Sequence, residues 1–283
     1  YNDEWGFTHH FPKENGYWFS LVGHPMENVS PETTVIDGYK WPDPSDPQRI
    51  SGLREKAVRF REEGKLVMLK GLCAGIFEMQ QRFRGVSNAL VDPFLYPGFS
   101  DRLIGKIADL KILFWQTALK ELADVVDVVA EADDYGTQES QLIDPDYFRQ
   151  LYKPHISRII KSIEEAAPAA RIMFHSCGNV RPLIPDFIEM GIDIINPVHI
   201  NAEGMEPYQL KKDFGNDIVF WGGGVDTQKI LPSGSASDVA DDVKRNIDAL
   251  APGGGFVFAT VHNIQAEVPP ANIAAMLKAI GRL

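Results

Sequence analysis

The stretch Ile172-Met173-Phe174-His175-Ser176-Cys177-Gly178-Asn179 shows the pattern on which the fold of this chain depends, an apolar run that ends in polar residues and a glycine. The apolar residues predict a short buried strand, with His175 and Cys177 at its junction with a loop. Because residues i and i+2 of a strand point to the same side, the imidazole and the sulfur could reach one metal ion. Taken alone, a His-x-Cys pair is more often a buried cysteine beside a histidine that bonds to the backbone.

Apolar runs of this kind alternate with helical patterns along the chain. The predicted strands are residues 66–69, 125–130, 172–175, 192–197, 218–221 and 255–260. The predicted helices are residues 50–63, 76–83, 101–123, 145–166, 182–190, 207–214, 236–250 and 269–280. Strands that are apolar throughout are buried on both faces, which is typical of a parallel sheet in the α/β class.

Polar and glycine-rich residues follow one predicted strand after another. They are Lys70-Gly71, Glu131 to Gly136, His175 to Gly178, Asn196 to His199, Gly222 to Asp226 and His262-Asn263. In a doubly wound sheet such residues concentrate at one switch point, whereas in a (β/α)8 TIM-type barrel they follow every strand. The pattern therefore favours the barrel.

The whole chain, residues 1–283, is predicted to be a single barrel domain. Residues 1–46, rich in aromatics, glycine and proline, are expected to form an irregular N-terminal arm. The sequence opens on Tyr1 rather than methionine and supplies fewer than eight strands. We therefore expect that an N-terminal part of the barrel is missing from this chain.

The composition narrows the class of protein. The 283 residues are 44% hydrophobic and 24% charged, which is enough for a large core. Two cysteines cannot form a disulfide framework and indicate a reducing compartment. The formal net charge of −11 argues against a nucleic-acid-binding surface. No membrane-spanning run and no signal peptide are found, so we expect a cytoplasmic protein without a membrane partner.

Acidic residues and a further histidine also follow predicted strands. The cluster from Glu131 to Asp134 is costly beside a buried strand unless it is solvated, paired or bound to a cation. A solvated loop in which Asp133 or Asp134 caps a helix explains it equally well. Cys73 follows the first predicted strand and is either a further metal ligand or a small packing residue. Neither a GxGxxG motif after a strand nor a GxxxxGKS motif occurs, so a phosphate cradle at Gly222 to Gly224 is weakly supported.

We predict that His175, Cys177 and His262 are the ligands of a catalytic zinc ion. Two imidazoles and one thiolate leave a fourth position for a carboxylate, water or substrate. A structural zinc site needs four closely spaced ligands, and the long gap between Cys177 and His262 argues against one.

Four motifs in this order resemble the uroporphyrinogen decarboxylase superfamily, and within it the zinc-dependent corrinoid methyltransferase branch. The motifs are His175-Ser176-Cys177-Gly178, Asp134-Tyr135-Gly136-Thr137-Gln138, Gly223-Gly224-Val225-Asp226-Thr227-Gln228, and His262-Asn263-Ile264-Gln265 followed by residues 268–273. The resemblance covers nearly the whole chain and implies a (β/α)8 barrel. In that branch zinc is held by His-x-Cys and a distal cysteine. His262 stands at the position of that cysteine, and the decarboxylases also have a histidine there.

The resemblance implies transfer of a methyl group from a small O- or N-methyl donor to the cobalt of a corrinoid protein. The expected cofactors are Zn²⁺ and the corrinoid of that partner, and a homodimer is compatible with this assignment. We predict catalytic roles for Asp134, Tyr135 and Asp226. The predicted substrate-binding residues are Glu131, Asp133, Gln138, His199 and Gln228.

Two alternatives remain open. A uroporphyrinogen decarboxylase needs no cofactor and binds an acidic tetrapyrrole through arginines near the start of the barrel, together with an aspartate and a tyrosine. Tyr135 could be that tyrosine, but the arginine segment would precede Tyr1, and His175-x-Cys177 would have no task. A non-catalytic barrel that only binds a ligand is the other alternative, and it predicts that the metal-capable residues do not meet.

Overall fold

The computed structural model describes residues 1–14 and 16–282 and has an α/β architecture. The chain forms two compact units, Tyr1–Asp133 with Asp146–Ala170, and Asp134–Pro145 with Arg171–Leu283. Six strands of parallel type alternate with helices along the described residues. The predicted α/β class with parallel strands is confirmed. Among the described residues, no helix is both long enough and apolar enough to cross a membrane.

The first unit contains the N-terminal segment, two parallel strands and the longest helix. Its strands are β1 (Thr8–His10), β2 (Ser20–Gly23), β3 (Met68–Lys70) and β4 (Val128–Ala132). Its helices up to β4 are α1 (Thr33–Gly38), α2 (Leu53–Glu62), α3 (Ile76–Arg84), α4 (Val86–Leu95) and α5 (Pro97–Leu122). After β4, the short α6 (Pro145–Tyr147) leads through a π-helical turn (Phe148–Tyr152) into α7 (Lys153–Ala166).

Strand β4 begins later than the sequence predicts. The apolar run starts at Val125, but the backbone N–H of Val125 donates to the carbonyl of Leu122 at 3.0 Å and closes the end of α5. The strand therefore spans Val128–Ala132 and pairs in parallel with β3. In consequence Glu131, which the sequence places in an acidic loop, is a buried residue of the strand.

The N-terminal segment packs onto α3 through aromatic rings. In residues 1–46, for which the sequence predicts irregular structure, β1 and β2 form a short antiparallel pair and α1 follows. Trp5 and Phe7 are buried and meet Phe83 edge to face, with ring centroids 6.4 and 4.9 Å away. Edge-to-face contacts at these distances contribute stability in addition to the free energy gained from burying the rings. These aromatics therefore anchor the segment.

The second unit contains the other four parallel strands and the remaining helices. The strands are β5 (Arg171–His175), β6 (Ile194–Asn196), β7 (Val219–Trp221) and β8 (Phe256–Val257). The helices are α8 (Ile184–Glu189), α9 (Pro207–Phe214), α10 (Ile230–Ser233), α11 (Ala236–Leu250) and α12 (Pro270–Ala279).

Strands β5 to β8 hydrogen-bond to one another in chain order and all run parallel. His175 at the end of β5 lies opposite Asn196 at the end of β6, and Trp221 at the end of β7 lies opposite Val257 at the end of β8. The carboxyl ends of these strands therefore share one edge of the sheet. That edge is where α/β proteins place their ligand sites.

Candidate metal centre

The end of β5 supplies the first two candidate ligands. Extended pairing continues past the strand, because the N–H of Ser176 donates to the carbonyl of Asn196 at 2.7 Å. His175 and Cys177 therefore point to the same side, as the alternation of a strand requires. The Sγ atom of Cys177 lies 3.4 Å from Nε2 of His175. Both side chains are half-buried.

His262 brings the third candidate ligand from the loop after β8. Thr260 Oγ1 donates to the carbonyl of His262 at 2.5 Å and shapes this loop. The ligand atoms of His175, Cys177 and His262 all lie within 4.8 Å of one another. In a tetrahedral site with Zn–N of about 2.0–2.1 Å and Zn–S of about 2.3 Å, ligand atoms are roughly 3.3–3.6 Å apart. Since His262 is exposed, its side chain is free to make the remaining short movement.

Asn196 holds the imidazole of His175. Its Oδ1 lies 2.7 Å from Nδ1 of His175, and its Nδ2 donates to the carbonyl of Trp221 at 3.0 Å. Metal-binding histidines typically make such a bond with the ring nitrogen that does not face the ion. No role for Asn196 is predicted from the sequence. The signal that identifies it is its register opposite His175 in the parallel sheet.

Asp134 organises the loop that carries Cys177. Its Oδ1 accepts a hydrogen bond from the backbone N–H of Cys177 at 2.8 Å. Two loops also touch here, because a Cβ atom on Gly136 would lie 2.6 Å from the carbonyl oxygen of Cys177. Gly178 has a φ of +83°, and a Cβ atom there would lie 2.5 Å from the backbone of Gly136. Both positions therefore require glycine.

His199 and Gln228 lie beside the candidate ligands. The backbone N–H of Gly178 donates to Nδ1 of His199 at 3.1 Å, which leaves the ring proton on Nε2. The side-chain nitrogen of Gln228 lies 3.2 Å from that Nε2 atom, and because both groups are donors in this tautomer, the two side chains are in contact without a hydrogen bond. Burial, followed by the nearby His262, lowers the pKa of His199, while Asp134 and Asp226 oppose this shift. His199 is therefore neutral at pH 7.

Asp226 is buried and organises the turn after β7. Its Oδ1 accepts from the backbone N–H groups of Gln228 at 2.8 Å and Lys229 at 2.9 Å. Its own N–H donates to Asp242 Oδ2 on α11 at 2.7 Å. These bonds fix where Gln228 lies relative to His199.

Two further predicted site residues of the second unit differ in exposure. Tyr135 is fully buried, and its backbone N–H donates to Ser176 Oγ at 3.2 Å. Gln138 is exposed, and its carbonyl accepts from the N–H of Glu203 at 2.8 Å. The roles assigned to both side chains stay predictions.

The acids Glu131 and Asp133 belong to the first unit and make structural contacts there. Glu131 pairs with Lys111, with 2.8 Å between Oε2 and Nζ, and accepts a hydrogen bond from the Trp115 indole. Asp133 caps α3 by accepting from the N–H groups of Phe77 at 2.8 Å and Glu78 at 3.0 Å. The capping role that the sequence left open for Asp133 is thus present. Substrate binding by either acid stays a prediction.

Cys73, the other candidate thiol, lies in the first unit. Burial raises the pKa of this thiol to about 11, with Lys111 opposing the shift. A metal ligand must be a thiolate, and near neutral pH this group is a thiol. Within the described residues, the metal-capable cluster consists of His175, Cys177 and His262.

Comparison with known proteins shows that this chain shares its fold with a methyltransferase of known structure. A methyltransferase from Methanosarcina mazei superposes with a TM-score of 0.68 at 18% identity, covering 98% of this chain and 75% of that one. A glycoside hydrolase family 5 enzyme from Prevotella bryantii gives 0.42 at 10% identity, covering 83% and 76% of the two chains. An endo-glycoceramidase from Rhodococcus gives 0.47 at 12% identity, covering 87% and 65%. The last two similarities are too low to support an inference. Among curated proteins, none matches this chain. The family model of uroporphyrinogen decarboxylase matches residues 23–283, and the chain therefore belongs to that family.

Proposed function

We propose that this protein is a zinc-dependent methyltransferase that moves a methyl group from a small O- or N-methyl donor to the cobalt of a corrinoid protein. The observation that carries the proposal is the meeting of His175, Cys177 and His262, whose ligand atoms lie within 4.8 Å of one another. A barrel that only binds a ligand gives no reason for these three side chains to converge. The fold shared with a methyltransferase is consistent with the proposal.

The residues at the site fit a zinc ion. One thiolate and two imidazoles are the usual donors to catalytic zinc, and the fourth position stays open to substrate. Asn196 orients His175, and Asp134 holds the backbone N–H of Cys177. Each of these two ligands is therefore supported by a neighbouring polar side chain, as in other metal sites.

The ligand charges favour the donor side of methyl transfer. With one thiolate and two neutral imidazoles, bound zinc keeps a net charge of +1 and supplies Lewis acidity to the heteroatom that carries the methyl group. Two thiolates would instead leave the site neutral, which suits activation of a thiol acceptor. A methoxy oxygen or a methylamine nitrogen is therefore the expected leaving atom.

His199 is assigned a substrate-binding role. Its Nδ1 accepts from the Gly178 N–H, so Nε2 carries the proton and can donate a hydrogen bond to the departing heteroatom. The side chain of Gln228 lies against this ring, and Asp226 positions Gln228 by accepting its backbone N–H. Asp226 therefore acts through its neighbours in this proposal.

Methyl transfer is tested by incubating the enzyme with cob(I)alamin and candidate donors such as methoxylated aromatics and methylamines. Formation of methylcobalamin, followed by its absorbance, is the expected result. If only thiols accept a methyl group from methylcobalamin, the enzyme works on the acceptor side and the proposed direction is wrong.

Decarboxylation of a tetrapyrrole is the second candidate, because the matching family model is that of uroporphyrinogen decarboxylase. That reaction would need no metal and would leave Cys177 without a role. Decarboxylation of uroporphyrinogen by chelator-treated enzyme would support this candidate against methyl transfer.

A further inference from the structure

Asn196 joins the ends of three strands by hydrogen bonds. It is the last residue of β6 and lies opposite His175, the last residue of β5. Its Oδ1 lies 2.7 Å from Nδ1 of His175, and its Nδ2 donates at 3.0 Å to the carbonyl of Trp221, the last residue of β7. A continuous chain of hydrogen bonds thus runs from the backbone of β7 to the imidazole.

The direction of these bonds follows from what each group can donate. A backbone carbonyl only accepts, so the end of the Asn196 amide that faces Trp221 is the NH₂ group. The oxygen of the same amide therefore faces His175, and it also only accepts. His175 must then carry its proton on Nδ1, which leaves a lone pair on Nε2. Nε2 is the atom that lies 3.4 Å from the Cys177 sulfur.

We propose that Asn196 is a positioning residue of the metal centre, which selects the Nδ1–H tautomer of His175 and directs Nε2 at the ion. This assignment rests on the proposed function, since it supposes that His175 is a zinc ligand. Neutral imidazole has two tautomers, and the one that is present is set by the partner of the other nitrogen. The hydrogen bond from His175 to Asn196 therefore selects the Nδ1–H tautomer already in the metal-free protein.

Gly222 keeps the Trp221 carbonyl in place. It has a φ of +108°, which side chains other than glycine rarely adopt, and its N–H donates to the carbonyl of Val257 at 3.0 Å. A Cβ atom at this position would lie 3.3 Å from Pro197, the residue after Asn196. Gly222 therefore serves the geometry of this hydrogen-bonded chain, and a phosphate cradle is not needed to explain it.

The experiment uses three variants of the full chain, labelled with ¹⁵N in histidine. Asn196→Leu removes both hydrogen bonds at similar volume, and Asn196→Asp keeps an acceptor for Nδ1–H. Asn272→Leu is the matched control, because Asn272 is a buried asparagine whose Nδ2 donates to the carbonyls of Leu231 and Gly234, both at 2.9 Å. The tautomer of His175 is measured in metal-free protein by long-range ¹H–¹⁵N correlation, and zinc affinity is measured by competition with a chelator.

In the wild type, His175 should carry its proton on Nδ1 without any metal. Asn196→Leu should shift the proton toward Nε2 and weaken zinc binding by about 10–100-fold, the usual loss for a partner of a metal ligand. Asn196→Asp should retain the Nδ1–H tautomer and most of the affinity. Asn272→Leu should change neither quantity, even if it unfolds more readily.

Three results separate the possible failures. An Nε2–H tautomer in the wild type overturns the assignment, whether or not the variants fold. Unchanged zinc affinity in Asn196→Leu also overturns it. If the wild type binds no zinc but has an Nδ1–H tautomer that Asn196→Leu loses, the proposed function fails while the role of Asn196 in selecting the tautomer stands.

Discussion

Replacing Lys111 by methionine tests whether Glu131 is a structural residue or one that binds substrate. The side chains of Lys111 and Glu131 are 1% and 3% exposed, and their charged atoms are 2.8 Å apart. The ammonium also donates to the carbonyls of Cys73 at 3.2 Å and Ala74 at 3.0 Å. Burial lowers the pKa of Lys111, but the nearby Glu131 carboxylate and further neighbouring groups together more than offset this and hold the pKa above the usual lysine value. Lys111 is therefore charged over the whole neutral range.

The expected cost follows from the isolated charge that remains. Lys111→Met leaves the Glu131 carboxylate buried without its cation, although the Trp115 indole still donates to it. Breaking a buried ion pair in this way costs about 3–5 kcal/mol of stability. Replacing both charged side chains by uncharged ones often changes the free energy of unfolding little. The double variant Lys111→Met, Glu131→Gln should therefore recover most of the stability lost in Lys111→Met. This recovery would show that the two side chains interact, because the stability losses of two independent substitutions would add.

Urea denaturation followed by circular dichroism measures these free energies of unfolding. The control is Lys161→Met, since Lys161 and Glu165 are 75% and 69% exposed in their pair, and it should change stability by less than about 0.5 kcal/mol. A loss below about 1 kcal/mol for Lys111→Met would refute the argument from burial. A stable Glu131→Gln variant that has lost turnover would instead show that Glu131 acts on the substrate.

The remaining predictions concern the metal centre and the second thiol. Cys177→Ser should lose zinc and keep the fold, as measured by elemental analysis and circular dichroism. If Cys177 is only a packing residue of the core, the variant should instead lose roughly 1–3 kcal/mol of stability while its metal content stays unchanged. His262→Ala should lower zinc stoichiometry, whereas unchanged zinc with no turnover would make His262 a substrate contact. Gly178→Ala should reduce both stability and zinc content, because its φ is +83° and a Cβ atom would meet Gly136; normal zinc content would contradict this. Cys73 should resist iodoacetamide at pH 8 and react only as the pH approaches its raised pKa of about 11, measured by mass spectrometry; rapid alkylation of folded protein at pH 8 would contradict the burial.

Helices with clear end signals were predictable from the sequence. The predicted bounds of α9 and α11 agree with the structure. Proline opens α9, and Ser235 and Asp238 form a capping box at the start of α11. Helix α4 was missed because Pro93 lies inside it, and proline usually ends a helical pattern.

The candidate ligands were predictable because parallel strands bring their carboxyl ends to one edge. His175 ends β5, Cys177 lies two residues beyond it and His262 lies in the loop after β8, and the continuous apolar runs predict those strands. The role of Asn196 was not predictable, because it depends on the register between β5 and β6, which one sequence does not reveal. Glu131 was placed in a loop because an apolar run does not show which of its residues still belong to the preceding helix.

Zinc content of the purified wild-type protein shows whether His175, Cys177 and His262 form a metal site. Elemental analysis after dialysis should find about one equivalent of zinc per chain, as expected for three converging protein ligands. Protein stripped with a chelator should regain that equivalent when zinc is added back. Well under one equivalent of zinc, with no gain on adding zinc, would contradict the account.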